Sequence, residues 1–460
     1  MSTILRALLR ISSIIMYGIA TVAQAQDAVL TGTVVTPDKV IVKGWVVIKG
    51  GHITAIADKA PSGPSIETDG IIFPGFVDLH NHPMYNIFPR WQPKAKFHNR
   101  YEWRDLQEYK NLIGTPGGEL QRKDDQTFCD IDEYAEVKEL MGGTTSIAGI
   151  SGRWGINPPV PDCVAGLARN LDWASGFYGS GIGRERIENT LGVTPWDLQE
   201  ADVHRIADEI ASKKINLLLI HVAEGFPLDT ESTVEFRALK GLGLLGEHTA
   251  IIHGVALGSE DFRQMRASGT ALIWSPRSNM ELYGATTNVG AAFREGVTVA
   301  LAPDWSPTGS TNMLAELQFA RRLNHEQLYG LFSDRELFEM ATAVPARIAG
   351  IDDKVGSLQA GLFADLFVLA GDGSQPFTAL MQARPEDVQL VLVGGVPIYG
   401  SEKLVSQFKV PVESVDVCKS KMVLNSELLA AGKFADVTDR LKVDLSKYKL
   451  ELGPLEECPH

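Results

Sequence analysis

Two histidines lie one residue apart in a short segment, a spacing that suits a metal ion. Asp78, His80 and His82 alternate within residues 76–82. Side chains two positions apart in a β-strand point to the same side, so both imidazoles can reach one ion. The apolar pair Phe76-Val77 just before them is typical of a buried strand. A polar surface strand is the alternative, and this segment alone leaves both interpretations open.

Three later residues with ligand-type side chains each follow an apolar, strand-like run. His221 and His253 come directly after such runs, and Asp304 follows a third run through Pro303. In a parallel α/β barrel these positions lie on the carboxyl-terminal rim, where active sites form. Buried histidines of a packed core need hydrogen-bond partners but not this repeated placement. The recurrence therefore favours a metal site.

Apolar runs alternate with amphipathic helical segments through the middle of the chain. The strand-like runs include 215–220, 250–252, 271–274 and 297–302, and the helical segments include 311–323 and 334–343. This alternation predicts a parallel α/β barrel or a doubly wound sheet. Stretches rich in β-branched residues flank it on both sides. We expect those stretches to pair with each other as one small β domain.

Composition and charge exclude several classes of protein. The 460 residues are 44% hydrophobic and 22% charged, which is ordinary globular composition and argues against a disordered or collagen-like chain. Lysine and arginine number 43 against 57 acidic residues, which gives a formal net charge of −14. This acidic balance disfavours a nucleic-acid groove or an anionic membrane surface as the main partner. It does not restrict small-molecule substrates.

The first 25 residues have the pattern of a secretory signal peptide. Arg6 and Arg10 precede the apolar run 11–22, which ends at Ala23-Gln24-Ala25. This run is shorter than the about 20 residues that span a bilayer, and the A-x-A exit predicts cleavage after Ala25. We therefore expect an exported protein, periplasmic or secreted, with no membrane association after cleavage. A buried first helix is the alternative.

The chain contains four widely spaced cysteines, Cys129, Cys163, Cys418 and Cys458. They form no C-x-x-C pair, which disfavours a thiolate metal site or a redox dithiol. An oxidising compartment permits two disulfides. Proximity in the sequence pairs Cys129 with Cys163 and Cys418 with Cys458. The other connectivities, and free buried thiols, stay open.

Taken in chain order, the motifs resemble those of the amidohydrolase superfamily of metal-dependent hydrolases. They are His80-x-His82, His221-x-x-Glu224, Ile252-His253-Gly254, Ser275-Pro276-x-Ser278-Asn279 and Pro303-Asp304. The set is most similar to the branch that holds the deaminases of guanine, cytosine and adenosine-type rings and the triazine hydrolases. The resemblance spans residues 28–400, and it specifies the superfamily far better than the substrate.

The resemblance implies a distorted TIM (β/α)8 barrel with a small β-sandwich domain formed by both ends of the chain. The barrel would occupy residues 74–352. The β domain would take residues 26–73 and 353–400. Residues 401–460 would be a C-terminal extension without a recognisable motif.

The resemblance also implies a metal centre with one ion. His80, His82, His221 and Asp304 would hold one divalent metal, most simply zinc, with iron as the other choice. Three neutral imidazoles and one carboxylate leave an open position for water. The metal lowers the pKa of that water towards about 7, which makes hydroxide available at neutral pH.

The same resemblance gives catalytic roles to three residues. Glu224, three residues beyond a ligand, would carry a proton from the water to the leaving nitrogen. His253 would hydrogen-bond the bound water or the developing oxyanion. Asp304 would also accept the proton of the water.

Substrate contacts are expected from the same rim. Ser278 and Asn279 belong to the Ser-Pro-x-Ser-Asn motif, and Arg153 follows an apolar run at a place where it would bind a substrate carboxylate. A loop arginine with a surface partner is the alternative for Arg153. The aromatic-rich segment after His82 would lie over the barrel mouth, either as a closing lid or as a fixed cover.

The number of metal ions follows from one feature of the sequence. Many superfamily members hold two metals bridged by a carboxylated lysine on the fourth barrel strand. No lysine lies between Lys138 and Lys213, where that strand is expected, and no glutamate there follows an apolar run. One ion is therefore favoured over the two of a peptidase-like, lactam or ester hydrolase. A catalytically inactive periplasmic binding homologue would lack a ligand, and none is missing.

These inferences predict a metal-dependent hydrolase of carbon–nitrogen bonds other than peptide bonds. Metal-activated water would attack an amide, an amidine or a heterocycle carbon of a small molecule. Deamination of a heterocycle and hydrolysis of a cyclic or linear amide are both open. Assembly as a homo-oligomer, which is common in the family, is open too.

Metal analysis of the purified mature protein tests the predicted centre. We expect close to one zinc or iron ion per chain by plasma mass spectrometry without added metal, because the ligand set suits a single ion. Close to two ions per chain would contradict this prediction and would indicate a bridging carboxylate that the sequence does not reveal.

Overall fold

The computed structural model describes residues 26–149, 166–172, 186–189 and 194–458, with the backbone alone for 186–189. The predicted signal segment 1–25 lies outside these ranges, as do Arg153 and Cys163. Every helix within the described ranges is too short or too polar to span a bilayer.

Strands and helices are numbered in chain order over the described residues. The strands are β1 Ala28–Val35, β2 Val40–Lys49, β3 His52–Ala57, β4 Ile66–Pro74, β5 Phe76–Asp78, β6 Thr144–Ile147, β7 Arg169–Asn170, β8 Arg186–Asn189, β9 Ile215–Val222, β10 Thr249–His253, β11 Ala271–Trp274, β12 Val299–Leu301, β13 Leu366–Leu369, β14 Val388–Val393, β15 Val396–Gly400, β16 Val412–Val417 and β17 Ser420–Asn425. The helices are α1 Arg100–Asp105, α2 Gln107–Tyr109, α3 Thr115–Leu120, α4 Asp125–Met141, α5 Glu200–Ala211, α6 Thr230–Gly241, α7 Ser259–Ser268, α8 Pro276–Tyr283, α9 Val289–Glu295, α10 Met313–Gln327, α11 Asp334–Glu339, α12 Ala343–Ile348, α13 Pro376–Gln382, α14 Glu402–Val405 and α15 Phe434–Ser446.

The middle of the chain forms two parallel sheets with helices between the strands, so the fold is mixed α/β. One sheet contains β5, β6 and β7, and the other has the order β12-β11-β10-β9-β8. Helices such as α6, between β9 and β10, return the chain to the start of the next strand, as parallel pairing requires. Every residue of β9 except Asn216 is buried, which is typical of a parallel strand covered on both faces.

The ends of β5 and β12 meet and join the two parallel sheets at one seam. Asp304 N donates to His80 O at 3.1 Å, and His82 N donates to Asp304 O at 2.9 Å. A parallel bridge between Asn81 and Asp304 lies at the same place. Among the described residues no strand pairing joins β7 to β8, so the described strands do not close into a barrel.

Strands from both ends of the chain pair in one mixed sheet of nine strands. Its order is β16-β17-β15-β14-β13-β4-β1-β2-β3, and the two halves meet where β4 pairs antiparallel with β13. Apolar side chains of both halves share a buried cluster that includes Leu30, Ile72, Leu366 and Leu392. Strands β16 and β17 come from the segment beyond residue 400, so this segment is part of the same sheet.

The rest of the C-terminal segment packs along α4 and returns to the loop after β5. Tyr134 of α4 stacks on Phe434 of α15, with ring centroids 5.9 Å apart. Gly453 donates its N–H to Ile87 O at 2.8 Å, and its carbonyl accepts the Tyr134 hydroxyl at 2.6 Å. The tail, residues 451–458, is therefore held beside the segment that follows the first histidine pair.

A disulfide fastens this tail. Cys418 and Cys458 are bonded, with Cα atoms 5.4 Å apart, which confirms that predicted pair. Cys129 is also disulfide-bonded, and its predicted partner Cys163 lies outside the described residues. Because Cys418 lies in the turn between β16 and β17, the bond ties the tail to the edge of the nine-stranded sheet.

Gly75 separates β4 from β5 where a neighbouring strand packs too closely for a side chain. A Cβ atom there would lie 2.1 Å from Thr145 Oγ1 and 2.4 Å from Thr145 Cγ2.

Gly75→Ala should therefore lower the thermal unfolding midpoint in calorimetry, because overpacking of this kind costs about 1–3 kcal/mol. Gly246→Ala is the matched control, since nothing lies within 4 Å of a Cβ atom at that position. Equal midpoints for the two variants would contradict the packing argument.

Candidate active site

Four imidazoles converge at the carboxyl-terminal ends of three parallel strands. His80 and His82 follow β5, His221 lies in β9, and His253 ends β10. Neighbouring ring centroids are 4.8 to 5.6 Å apart. Parallel strands bring their carboxyl ends to one edge, and this placement is why residues so far apart in sequence meet. The structure thus brings together the four histidines that the sequence singled out.

Asp304 faces two of these imidazoles through one carboxylate oxygen. Its Oδ1 lies 3.3 Å from His80 Nε2 and 3.3 Å from His82 Nε2. Two ligand atoms held about 2.1 Å from one zinc ion in tetrahedral geometry lie about 3.4 Å apart. The observed spacing therefore fits ligands that share an ion.

Unpaired nitrogen atoms in the cluster also fit a metal ion. His80 Nε2 and His221 Nδ1 are buried and make no hydrogen bond within the described part of the chain. The ligand-type atoms of His80, His82 and Asp304 lie within 4.8 Å of one another, and so do those of His80, His221 and His253. Buried polar atoms need partners, and an ion would supply one to these lone pairs.

The backbone adopts unusual conformations at two of the site residues. His253 has a φ of 66° and Asp304 a φ of 71°, in the left-handed region that non-glycine residues rarely adopt. Such conformations cost about 1–3 kcal/mol each and persist where the surrounding contacts enforce them. At His253 one such contact is a hydrogen bond from the Thr287 hydroxyl to the backbone carbonyl. Strain at both positions supports a functional role for them.

The Ser-Pro-x-Ser-Asn motif begins α8 and anchors two of the imidazoles. Ser275 Oγ lies 3.0 Å from His80 Nδ1, and Asn279 Oδ1 lies 2.9 Å from His253 Nδ1. The Asn279 amide nitrogen faces the hydroxyl of Thr287 at 3.4 Å, so the amide oxygen is the atom that faces His253. Contacts at Nδ1 fix the ring orientation and leave Nε2 for the site.

Glu224 lies beside His253, and its carboxylate is held at both oxygens. Oε1 accepts the Tyr283 hydroxyl at 2.7 Å, and Oε2 is 3.3 Å from Arg100 Nη1 and 3.7 Å from His253 Nε2. The sequence did not single out Arg100 or Tyr283. Tyr283 follows Asn279 by one turn of α8, and this i, i+4 spacing is the signal that could have found it.

The segment after β5 borders the ligand cluster with aromatic rings. We call residues 83–110 the cover segment. Trp305, which follows Asp304, has its ring 6.0 Å from His82 and 5.8 Å from Trp103 of the cover segment. Tyr109 of the same segment lies 5.0 Å from Trp103 and 6.2 Å from Trp305. A flat group that reaches the cluster would therefore meet aromatic faces and edges.

The sequence of this chain is similar to those of known proteins. The amidohydrolase family model matches residues 198–398. A 5-methylthioadenosine/S-adenosylhomocysteine deaminase of Halobacterium salinarum is 25% identical over 365 residues, which are 74% of this chain and 83% of that protein. This chain is similar to members of the amidohydrolase superfamily.

Solved structures of similar fold include proteins with bound zinc. An adenosine deaminase of Xanthomonas campestris with bound zinc has a TM-score of 0.67 at 18% identity, over 92% of this chain and 98% of its own chain. The atrazine chlorohydrolase of Arthrobacter aurescens with zinc has a TM-score of 0.65 at 15% identity, over 91% and 100%. At these identities the likeness shows a shared fold.

The protein is a hydrolase that acts on carbon–nitrogen bonds, as the motifs predicted. A divalent metal ion, with zinc the best match, fits the group of His80, His82 and Asp304. A small molecule is the expected kind of substrate.

Burial keeps the imidazoles of the site neutral. It lowers the pKa of His80 and His221 well below the usual value and that of His82 to about 3, and neighbouring positive charges act in the same direction. Burial also lowers the pKa of His253, against the opposing charge of Glu224. Neutral imidazole is the form that binds metal ions, so these rings are ready to act as ligands.

Asp304 is affected in the opposite sense by the same burial. Loss of solvent raises the pKa of its carboxyl well above the usual value, and a hydrogen bond from Ser278 opposes that shift. Ser278 Oγ also lies 3.0 Å from Thr308 Oγ1. A bound cation would favour the carboxylate form. Ser278 and Asn279, the predicted substrate contacts, are both fully buried and contact residues of the site.

Removal of the Ser275 hydroxyl should weaken metal binding. In Ser275→Ala the His80 Nδ1 atom loses its partner at 3.0 Å, and losses of this kind reduce metal affinity by about 10- to 100-fold. Zinc dissociation constants from competition with a chromophoric chelator provide the measurement. Ser268→Ala is the control, because that hydroxyl bonds to the carbonyl of Met265 within the surface helix α7. An unchanged dissociation constant in Ser275→Ala would contradict the role of this contact.

Proposed function

We propose that this protein is an amidohydrolase that removes an amino group from a small nitrogen heterocycle and releases ammonia. The observation that carries the proposal is the position of Glu224, whose Oε2 lies 3.7 Å from His253 Nε2 at the edge of the ligand cluster. A carboxylate beside an imidazole can move protons between water and a leaving nitrogen. The deaminase activity named for the Halobacterium relative supports the same reaction here.

The residues that would hold the metal are His80, His82, His221 and Asp304. Their buried lone pairs and the spacing of 3.3 Å between Asp304 Oδ1 and two Nε2 atoms support this set. When bound, the ion supplies an activated water and polarises the carbon that this water attacks.

In this proposal Glu224 transfers the proton. The overall reaction adds the oxygen of water to the ring carbon and breaks the carbon–nitrogen bond. One proton of the water goes to the departing amino nitrogen, and the other goes to a ring nitrogen of the product. Glu224 takes a proton from the water as the new bond forms and returns it to the amino group, so that ammonia leaves as a neutral molecule. The Tyr283 hydroxyl and Arg100 hold its two oxygens during these steps.

His253 would assist as a hydrogen-bond acceptor. Because Asn279 Oδ1 faces His253 Nδ1, the ring carries its proton on Nδ1 and presents a lone pair at Nε2. That lone pair accepts a hydrogen bond from the attacking water. To donate a hydrogen bond from Nε2 to an oxyanion, the ring would need a second proton and would become the imidazolium. Burial disfavours this charged form, because burial lowers the pKa of His253.

The substrate would be planar. Trp305, Trp103 and Tyr109 stand within 5.0 to 6.2 Å of one another beside His82, and aromatic rings favour stacked or edge contacts with flat heterocycles. Arg153 completes the proposed set as a contact for an acidic group of the substrate.

We also propose a closed barrel and a β-sandwich domain for this protein. The Asn81–Asp304 bridge at one seam and the fold of the zinc-bound neighbours support a closed, distorted TIM barrel over residues 74–352. The shared apolar cluster of the nine-stranded sheet supports a small β-sandwich domain that includes residues 26–73 and 353–400.

We also propose export of the mature protein, and the Cys418–Cys458 disulfide is compatible with an oxidising compartment.

An ammonia-release assay tests the proposed reaction. The probes are adenosine, 5-methylthioadenosine, guanine and an amino-substituted triazine, each incubated with zinc-loaded enzyme. We expect ammonia from at least one probe, and a fall in kcat of about 100- to 10,000-fold in Glu224→Gln with unchanged zinc content, because general acid–base catalysis has that size.

Glu247→Gln is the control for this assay, since that carboxylate is 82% exposed. Full activity in Glu224→Gln would contradict the assigned proton carrier. Cleavage of lactam or linear amide probes without any ammonia from the heterocycles would contradict deamination.

A further inference from the structure

The carboxylate of Glu224 is held by side chains that come from outside its own strand. Oε1 accepts the hydroxyl of Tyr283 at 2.7 Å, and that hydroxyl in turn accepts the indole N–H of Trp103 at 2.8 Å. Oε2 lies 3.3 Å from Arg100 Nη1. Both lines of contact therefore lead to α1, which contains Arg100 and Trp103.

The cover segment is also joined to the backbone around Glu224. Arg100 N donates to Glu224 O at 3.2 Å, and Phe226 N donates to His98 O at 2.6 Å. Between them lies an antiparallel bridge from Asn99 to Gly225. A Cβ atom at position 225 would lie 2.5 Å from His98 O, so only glycine permits this approach. The start of α1 is thus fixed relative to the carboxylate.

Arg100 is buried to an extent that packing alone does not explain. Its side chain is 3% exposed, and its Nε and Nη1 atoms make no hydrogen bond among the described residues. Burial of a guanidinium costs several kcal/mol unless an opposite charge compensates. The carboxylate within ion-pair distance of Arg100 is that of Glu224, which is itself 3% exposed, and the buried Glu235 adds a second, weaker attraction. An apolar side chain would fill the same space without this cost.

We propose that Arg100 is a positioning residue for proton transfer by Glu224. It holds Oε2 toward His253 while Tyr283, fixed by Trp103, holds Oε1. A carboxylate fixed at both oxygens does not rotate away from the path of the proton, and orientation of this kind contributes strongly to rate. The cover segment, which contains Arg100 and Trp103, then helps to orient the Glu224 carboxylate in the active site. This inference rests on the proposed role of Glu224 as the proton carrier.

A double-mutant cycle separates positioning from direct contact with substrate. The variants are Arg100→Met, Glu224→Gln and the double variant, each assayed as full-length zinc-loaded enzyme. The probes are adenosine, 5-methylthioadenosine, guanine and the triazine. All variants are assayed with the one probe that the wild-type enzyme turns over fastest. Arg100→Met should lower kcat by about 10- to 100-fold with KM changed less than about threefold. In the Glu224→Gln background the same substitution should change kcat by less than about twofold, because Arg100 acts through Glu224.

Two further variants complete the set. Arg100→Lys should recover part of kcat, since an ammonium keeps the positive charge but lacks the planar fork. Tyr283→Phe, which removes the hydroxyl that bonds to Oε1, should lower kcat in the same way and should also show no effect in the Glu224→Gln background. Arg263→Met is the control, because that side chain is 54% exposed on α7.

A stability cycle provides a readout that needs no substrate. Arg100→Met leaves a buried carboxylate without its cation, so its thermal midpoint should fall further than that of Arg100→Met/Glu224→Gln. Zinc content should stay at the wild-type level in all of these variants. If Arg100→Met does not fold, Arg100→Lys and Tyr283→Phe give the same test.

Three results would overturn the inference. They are a rise in KM with kcat unchanged, an equal loss of kcat in the wild-type and Glu224→Gln backgrounds, and wild-type kinetics in Arg100→Met. Failure of the proposed function has a different signature, namely no ammonia from any probe with the wild-type enzyme. In that case the thermal midpoints alone decide whether Arg100 and Glu224 are coupled.

Discussion

Loss of water from the side chains at the strand ends is the constraint on which the other features of this structure depend. His80, His221 and Asp304 are buried there, and a buried polar atom without a partner is costly. Ser275 and Asn279 supply partners at the Nδ1 atoms of two imidazoles, and a divalent ion suits the lone pairs that remain. The same dry surroundings keep the imidazoles uncharged, so one physical cause shapes both the geometry and the chemistry of the site.

The short helix α8 contacts both the histidine cluster and Glu224, the proposed proton carrier. Ser275 precedes it and contacts His80, Asn279 contacts His253, and Tyr283 contacts Glu224. These three residues follow one another at intervals of four, so they project along one face of the helix. A small rotation of α8 would therefore disturb both the histidine cluster and the contact between Glu224 and His253, so the geometry of the site depends on how well this helix is packed.

The ligand-type residues were accessible from sequence because each ends an apolar strand run, a pattern that periodicity detects. The alternation of strands and helices predicted the mixed α/β fold for the same reason. Arg100 was not accessible, since it lies in a segment without strand or long-helix periodicity and meets Glu224 only after the chain has folded. Strands β16 and β17 were also missed, because half of the β16 residues are exposed and the apolar run of β17 is only three residues long. Contacts between distant segments, and closure of a sheet, depend on packing that local patterns do not encode.

The pairing of β4 with β13 has a consequence for how the protein is made. β4 ends at residue 74, and the strand beside it begins only at Leu366. A ribosome adds about 5–20 residues per second, so the unpaired edge of β4, which includes Ile71, Ile72 and Phe73, waits tens of seconds for its neighbour. Unpaired edges of this type promote association between chains. A cell that produces this protein must shield that edge until nearly the whole polypeptide has emerged.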